Sequence, residues 1–160
     1  MVTASTISTK KIWRILEQVT DPEVPVLTIT DLGIVRDVII NGDEVEVIIT
    51  PTYSGCPAMD MIAMNIKLAL IENGYPNIKI TSVLSPAWTT DWMSEDGKRK
   101  LKEYGIAAPD KKFLIATDGI ECPLCNSTNT KLISEFGSTA CKALYQCNDC
   151  KEPFDYFKCH

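Results

Sequence analysis

Cys122-Pro-Leu-Cys125 and Cys147-Asn-Asp-Cys150 are the two stretches from which the architecture of this chain can be read. Each is a C-x-x-C knuckle, a turn tight enough for two thiolates to converge on one ion. Two such turns complete a tetrahedron with metal–sulfur bonds of about 2.3 Å. Twenty-one residues separate them, close to the spacing of four-cysteine zinc sites. Strand-like runs lie between and after them, at 130–136, 142–146 and 153–158. The expectation is a zinc ribbon in which Cys122, Cys125, Cys147 and Cys150 hold one ion. That ion supplies the folding energy that so few residues cannot draw from apolar burial. Zinc is the expected metal, and iron in the same four thiolates is its competitor. Four protein ligands leave no open position, so the ion is read as structural rather than catalytic.

Six of the seven cysteines lie between Cys122 and Cys159, and Cys56 stands alone before them. That shift divides the 160 residues into two expected domains, 1–117 and 118–160, with the boundary near Thr117-Asp118-Gly119. Cys141, Cys159 and His160 are left over. The two cysteines read as small buried hydrophobes; alternatively the three residues form a second thiol and imidazole group able to hold a metal or cluster transiently. The net charge of −5 argues against a general nucleic-acid binder, which carries a basic excess. Lys98-Arg99-Lys100 with Lys102 reads as a solvated helix face. No segment reaches the ~18 apolar residues of a membrane helix; Met59 to Ile71 comes nearest and is broken by Asp60, Asn65 and Lys67. Met1 to Lys11 is rich in Ser and Thr and lacks an apolar signal core, so a cytoplasmic protein is expected. There, cysteines bind metal or do redox chemistry rather than pair as disulfides.

Before the ribbon the pattern is α+β. Ile12, Leu16 and Val19 share one face of a helix over 10–19, which stops at Thr20-Asp21-Pro22 because proline disfavours helix in the residue before it. Residues 21–31 read as an ordered loop. Strands over 33–40 and 44–50 are joined at Asn41-Gly42, the strongest short hairpin signal. Helical spacing runs from Pro57 to Ile71 and ends at Asn73-Gly74. A third strand is expected over 78–84 and a short helix over 94–104. The sum is a small helix/sheet sandwich, followed by the ribbon. Between its last strand and the short helix, Trp88 and Trp92 read as core residues covering the sheet, or else as a docking surface.

Cys56 precedes Pro57 at the start of the second helix. Helix N-termini expose unpaired N–H groups and partial positive charge, which stabilises a thiolate. Asp21, Glu23 and Asp31 lie in the earlier loop and are candidates to approach it. The reading is a reactive or metal-binding thiol beside carboxylates, against an inert capping cysteine. No phosphate loop, H-E-x-x-H or Ser-His-Asp set is present, since the only histidine is His160.

These stretches carry a family resemblance. Asp21-Pro-Glu-Val-Pro25, Thr30-Asp-Leu-Gly-Ile-Val35 and Pro51-Thr-Tyr-Ser-Gly-Cys-Pro57 resemble the MIP18 (DUF59) family, which serves iron–sulfur cluster assembly. The run Phe136-Gly-Ser-Thr-Ala-Cys-Lys142, the knuckles and Glu152-Pro-Phe-Asp-Tyr-Phe-Lys-Cys-His160 narrow the resemblance to the PaaD (PaaJ) family. Its members are D subunits associated with the phenylacetyl-CoA epoxidase (ring 1,2-monooxygenase) system. Asn126 departs from the glycine many members have there, but asparagine also tolerates a left-handed backbone.

The resemblance implies a part in aerobic bacterial phenylacetate catabolism, in the cytoplasm, without oxygenation chemistry of its own. D subunits are thought to help mature or insert the iron–sulfur cluster of the reductase subunit. By the family motif, Cys56 is the thiol that matters, with Asp21, Glu23, Asp31 and Thr52 around it and iron or a cluster as transient cargo. The implied partners are the other epoxidase subunits, the iron–sulfur reductase above all; a homodimer is a further candidate, and neither nucleic acid nor membrane is expected. A second reading is a structural subunit that assembles with the oxygenase through Trp88, Trp92 and the ribbon. A third, a thiol-dependent enzyme, is the weakest, because no histidine in the body of the chain could serve Cys56 as base.

Overall fold

The computed structural model describes residues 8–52, 56–108, 119–137 and 142–157. The chain divides into two compact units, Met1–Trp88 and Thr89–His160. In the first unit, α1 (Thr9–Leu16) buries Ile12, Ile15 and Leu16. It stops short of the expected Val19 because the Val19 carbonyl accepts the N–H of Ile29 at 2.9 Å and Thr20 pairs with Thr28. The 21–31 loop is therefore folded back on the helix end. Val24, Leu27 and Ile29 are inside the core, so this loop contributes to the interior as a regular element would.

The strands β1 (Val35–Asn41) and β2 (Glu44–Ile49) pair antiparallel, with Asn41 opposite Glu44. The turn residues are thus Gly42 and Asp43, one step beyond the expected Asn41-Gly42. Gly42 has φ +64°, the conformation a two-residue hairpin needs at its first central position. Val45, Val47 and Ile49 are buried on one face of β2. Next, α2 (Ala58–Glu72) turns Ala58, Ile62, Ile66 and Leu70 inward. Gly74 (φ +90°) ends it in a Schellman motif, with Tyr75 N–H bonded to Leu70 O and Gly74 N–H to Ile71 O, both at 3.0 Å. The helix is the crossover to β3 (Ile78–Ser82), which lies parallel to β2. The sheet order is β1-β2-β3. Trp88 is buried and its indole N–H donates to Leu32 O at 2.7 Å. It is therefore a core residue, which removes it from the candidate docking surface.

The second unit begins with a short 3₁₀ turn (Thr90–Trp92), leaving Trp92 half-buried. Ser94 caps α3 (Glu95–Glu103) by accepting the Gly97 N–H at 2.9 Å. Along α3, Lys98 and Arg99 pair with Glu95, Asp96 and Glu103, and Lys102 reaches Glu121, a solvated face as read. A strand the sequence did not announce, β4 (Ile106–Ala107), pairs with β7 (Pro153–Phe157). With β5 (Thr130–Ser134) and β6 (Lys142–Cys147) it forms a sheet ordered β4-β7-β6-β5. The compact units divide at 88/89, and β4 belongs to the second through its pairing with β7. The residues at 117 and 118 lie outside those described.

Ala107, Cys122, Cys147 and Phe154 form the ribbon's small core, with Ile120, Tyr145, Cys150 and Tyr156 packed against it. Tyr145 stacks on Phe154, with ring centroids 6.0 Å apart, and meets Tyr156 edge-on at 5.7 Å. At Gly119, beside the ribbon, a β-carbon would stand 2.3 Å from the Thr128 carbonyl oxygen and 2.6 Å from Thr130 Oγ1. Gly119→Ala is accordingly expected to lower the ribbon's unfolding free energy by about 1–3 kcal/mol through overpacking. Denaturant titration of the metal-loaded protein, followed through ribbon tyrosine fluorescence, measures it; Gly42→Ala, with nothing within 4 Å of its new carbon, should leave the ribbon unaffected.

Candidate metal centre and reactive thiol

The four predicted ribbon ligands come together. The Sγ atoms of Cys122, Cys125, Cys147 and Cys150 all lie within 4.8 Å of one another. Cys122 and Cys150 are 3.8 Å apart, and Cys125 and Cys147 3.6 Å. A tetrahedron with bonds of about 2.3 Å has edges of about 3.8 Å, so the donor set fits one four-coordinate soft ion.

The two knuckles are built alike. Cys122 N–H bonds the Ser127 carbonyl at 2.8 Å, and Cys147 N–H bonds the Glu152 carbonyl at 3.0 Å, each five residues on. The residue after each second cysteine is left-handed: Asn126 at φ 62° and Lys151 at φ 68°. Asn126 thus does what glycine would do there. The knuckles are tied together by Asp149, which accepts from the Ser127 hydroxyl and, at 3.1 Å, from Asn129 Nδ2, while Asn148 N–H bonds the Asn129 carbonyl at 2.8 Å. The Ser127 and Asn129 hydrogen bonds hold the Asp149 carboxyl below its ordinary pKa. This contribution is present above the ordinary carboxylate range and is lost as pH falls through the lowered value.

The thiols titrate unequally. Backbone N–H groups of Cys150 and Asp149, helped by bonds to neighbouring thiols, lower Cys147 to about 7 against the opposing effect of burial. Cys150 is pushed up to about 12: the Glu152 N–H lowers it, but burial and sharing with the other three sulfurs outweigh that. Cys125 is also raised, the Ser127 N–H being overcome by burial and by Cys147 and Cys122. Without a cation the cluster yields one proton readily and keeps others.

Cys56 is half-exposed, two residues before α2, and its carbonyl accepts the Met59 N–H at 3.3 Å. Asp21 and Asp31 are buried. Asp21 Oδ1 accepts the N–H groups of Glu23 and Val24, both at 2.8 Å, and Asp31 Oδ2 accepts that of Thr28 at 3.2 Å. These carboxylates brace the loop backbone, a task their place in an Asp-Pro-rich loop could have suggested. Glu23 and Thr52 are half-buried. Among the described residues, the ribbon thiols are the one group of three or more His, Cys, Asp or Glu side chains at ligand distance; Cys56 is not gathered with two or more of the loop acids in that way. Thr50, which sequence reading passed over, is 1% exposed at the end of β2, and its hydroxyl has no hydrogen-bond partner among the described residues. Cys141, Cys159 and His160 lie outside the described residues, as do Tyr53 to Gly55. No described helix is long and apolar enough to cross a membrane.

Fold and site together define a class: an iron–sulfur-assembly-type α+β domain followed by a four-cysteine zinc ribbon. The family model of an iron–sulfur cluster assembly protein matches residues 9–83, and that of a PaaD zinc beta ribbon domain matches 107–158. The chain belongs to the PaaD family, the D subunits of the phenylacetyl-CoA epoxidase system. It is 52% identical over 151 residues, 93% of this chain and 92% of the relative, to a protein of Escherichia coli (strain K12) provisionally named as the D subunit of 1,2-phenylacetyl-CoA epoxidase. An Fe-S protein maturation auxiliary factor of Porphyromonas gingivalis is 36% identical over 90 residues, 55% of this chain and 85% of its own. The crystal structure of a DUF59 domain from Bacillus anthracis matches with TM-score 0.55 and 31% identity, over 58% of this chain and 90% of that one.

Metal binding here must expel protons, since Cys125 and Cys150 hold theirs above neutral pH. Affinity for zinc is therefore expected to rise with pH between about 6 and 9, by about two or more log units per pH unit. Competition titrations with a chromophoric chelator measure it, and calorimetry in buffers of different ionisation enthalpy counts the protons. Stripping the ion should melt the ribbon while α1 and α2, which have a separate core, keep their circular dichroism.

Proposed function

We propose that this chain is the accessory maturation subunit of a phenylacetyl-CoA epoxidase system, which hands iron or an iron–sulfur cluster to the system's iron–sulfur reductase through Cys56. The observation that carries the reading is a half-buried thiol just before α2 in a domain matching iron–sulfur cluster assembly proteins. A thiolate at that position gains from the helix N-terminus and suits soft cargo. The hand-over is a ligand exchange: the Cys56–iron bond breaks as a thiolate of the receiving protein forms its own, with no net redox change. Asp21 and Asp31 fix the backbone of the loop before β1. The ribbon's ion, zinc on this reading, is structural, and the chain itself catalyses no oxygenation. Cytoplasmic reducing conditions would keep all the thiols available.

A second reading is supported by the apolar side chains the ribbon exposes, Leu124, Leu132, Ile133 and Phe136. On that reading the chain is an assembly component of the oxygenase complex and transfers no metal.

The two part company under Cys56→Ser. On the transfer reading, the variant folds and keeps its ribbon ion, yet reductase produced alongside it carries several-fold less iron and sulfide. Full reductase occupancy, with this chain co-purifying with the oxygenase at fixed stoichiometry, would leave only the assembly reading standing.

A further inference from the structure

The outer face of α2 is apolar in a pattern its own fold does not use. Met61, Met64, Leu68 and Ile71 are 54, 55, 50 and 52% exposed, while Ala58, Ile62, Ile66 and Leu70 on the opposite side are buried. The exposed set has spacings of three, four and three residues, the a-d-a-d positions of a heptad seam. A strict a/d stripe of that width fits one further helix rather than a flat surface or a pocket. It amounts to about 400 Å² of apolar surface, within the range of the largest patch on a typical monomer, which is often functional.

The charges flanking the stripe choose the partner. In this heptad register Asp60 and Lys67 occupy g positions, and Asn65 and Glu72 occupy e positions. Residues five apart do not face each other on one helix, but g and the following e′ do face each other across a parallel two-stranded seam. A second copy aligned in parallel would set Lys67 against Glu72 of its partner twice over, and Asp60 against the partner's Asn65. An antiparallel copy would instead bring the two Lys67 side chains together. The last turn of α2 carries an acid and no base, so a lysine from a partner would also correct an unfavourable charge at the helix C-terminus.

We infer that this face is the seam of a two-fold symmetric dimer in which two α2 helices pack in parallel. The two copies would bury roughly 800 Å² of apolar surface, below the ~1,600 Å² of a standard interface, so the pairing is weak and concentration-dependent. The parallel sense puts both Cys56 turns at the same end of the seam. A use for that pair of thiols rests on the function proposed above, whereas the dimer does not.

Sedimentation velocity of the metal-loaded full chain, from about 1 to 500 μM, tests the dimer without any cluster present. Wild type should pass from monomer to dimer over that range, and Leu68→Lys should remain monomeric with unchanged circular dichroism. Lys67→Glu and Glu72→Lys should each weaken association, about three- to tenfold by the usual worth of exposed pairs, and the double variant should restore it. A monomer throughout, a dimer indifferent to Leu68→Lys, or single charge variants not rescued by the double would each overturn the inference.

Discussion

Four cysteine sulfurs held within 4.8 Å cannot all be thiolates unless a cation lies among them, and the geometry of the second unit follows from that constraint. Cys122 and Cys147 are themselves part of the ribbon core, fully buried beside Ala107 and Phe154. The interior they close is a few aromatic rings and short side chains, too little to hold strands together on its own. An ion there acts as the largest core group. The close approach of the four sulfurs, within 4.8 Å of one another, suits a charge that comes from outside the chain.

The first unit is stabilised differently, by ordinary apolar burial with a few polar braces. Its loop over 21–31 has no regular structure, yet it sends Val24, Leu27 and Ile29 inward. That is possible because side chains and neighbouring backbone satisfy the loop's amides: Asp21 and Asp31 take three of its N–H groups, and Val19 accepts that of Ile29. Burying an irregular segment otherwise leaves backbone polar groups unpaired. The loop therefore rests on a fixed frame.

Much of this was legible from spacing. Two C-x-x-C knuckles allow one arrangement of four thiols, and the structure has it. Alternation at Val45, Val47 and Ile49 and the 3.6 period at Ile62, Ile66 and Leu70 report burial directly, and those residues are buried. What failed depended on long-range pairing. Nothing local marks Ile106–Ala107 as a strand, since it exists through Asp155 and Tyr156. The Val19 carbonyl was lost to α1 for the sake of Ile29, ten residues on. Trp88 looked equally suited to core or surface until its indole found Leu32, fifty-six positions away. The carboxylates were noticed; what spacing alone did not give is that Asp21 and Asp31 accept amides two and three residues distant.

The helix α2 shows most clearly how a periodicity reading can be right and incomplete. Its sequence is apolar nearly all round, and the search for a buried face is satisfied by Ile62, Ile66 and Leu70. A helix serving a single sheet would be expected to turn charge outward, as α3 does with its ion pairs. Helix α2 instead exposes two methionines, a leucine and an isoleucine along the element that follows Cys56 and Pro57. On the readings proposed above, one helix would carry a thiol before its first turn, a sheet behind it, and an apolar seam in front. The ribbon has a small core of its own at Ala107, Cys122, Cys147 and Phe154, distinct from the residues that α2 buries.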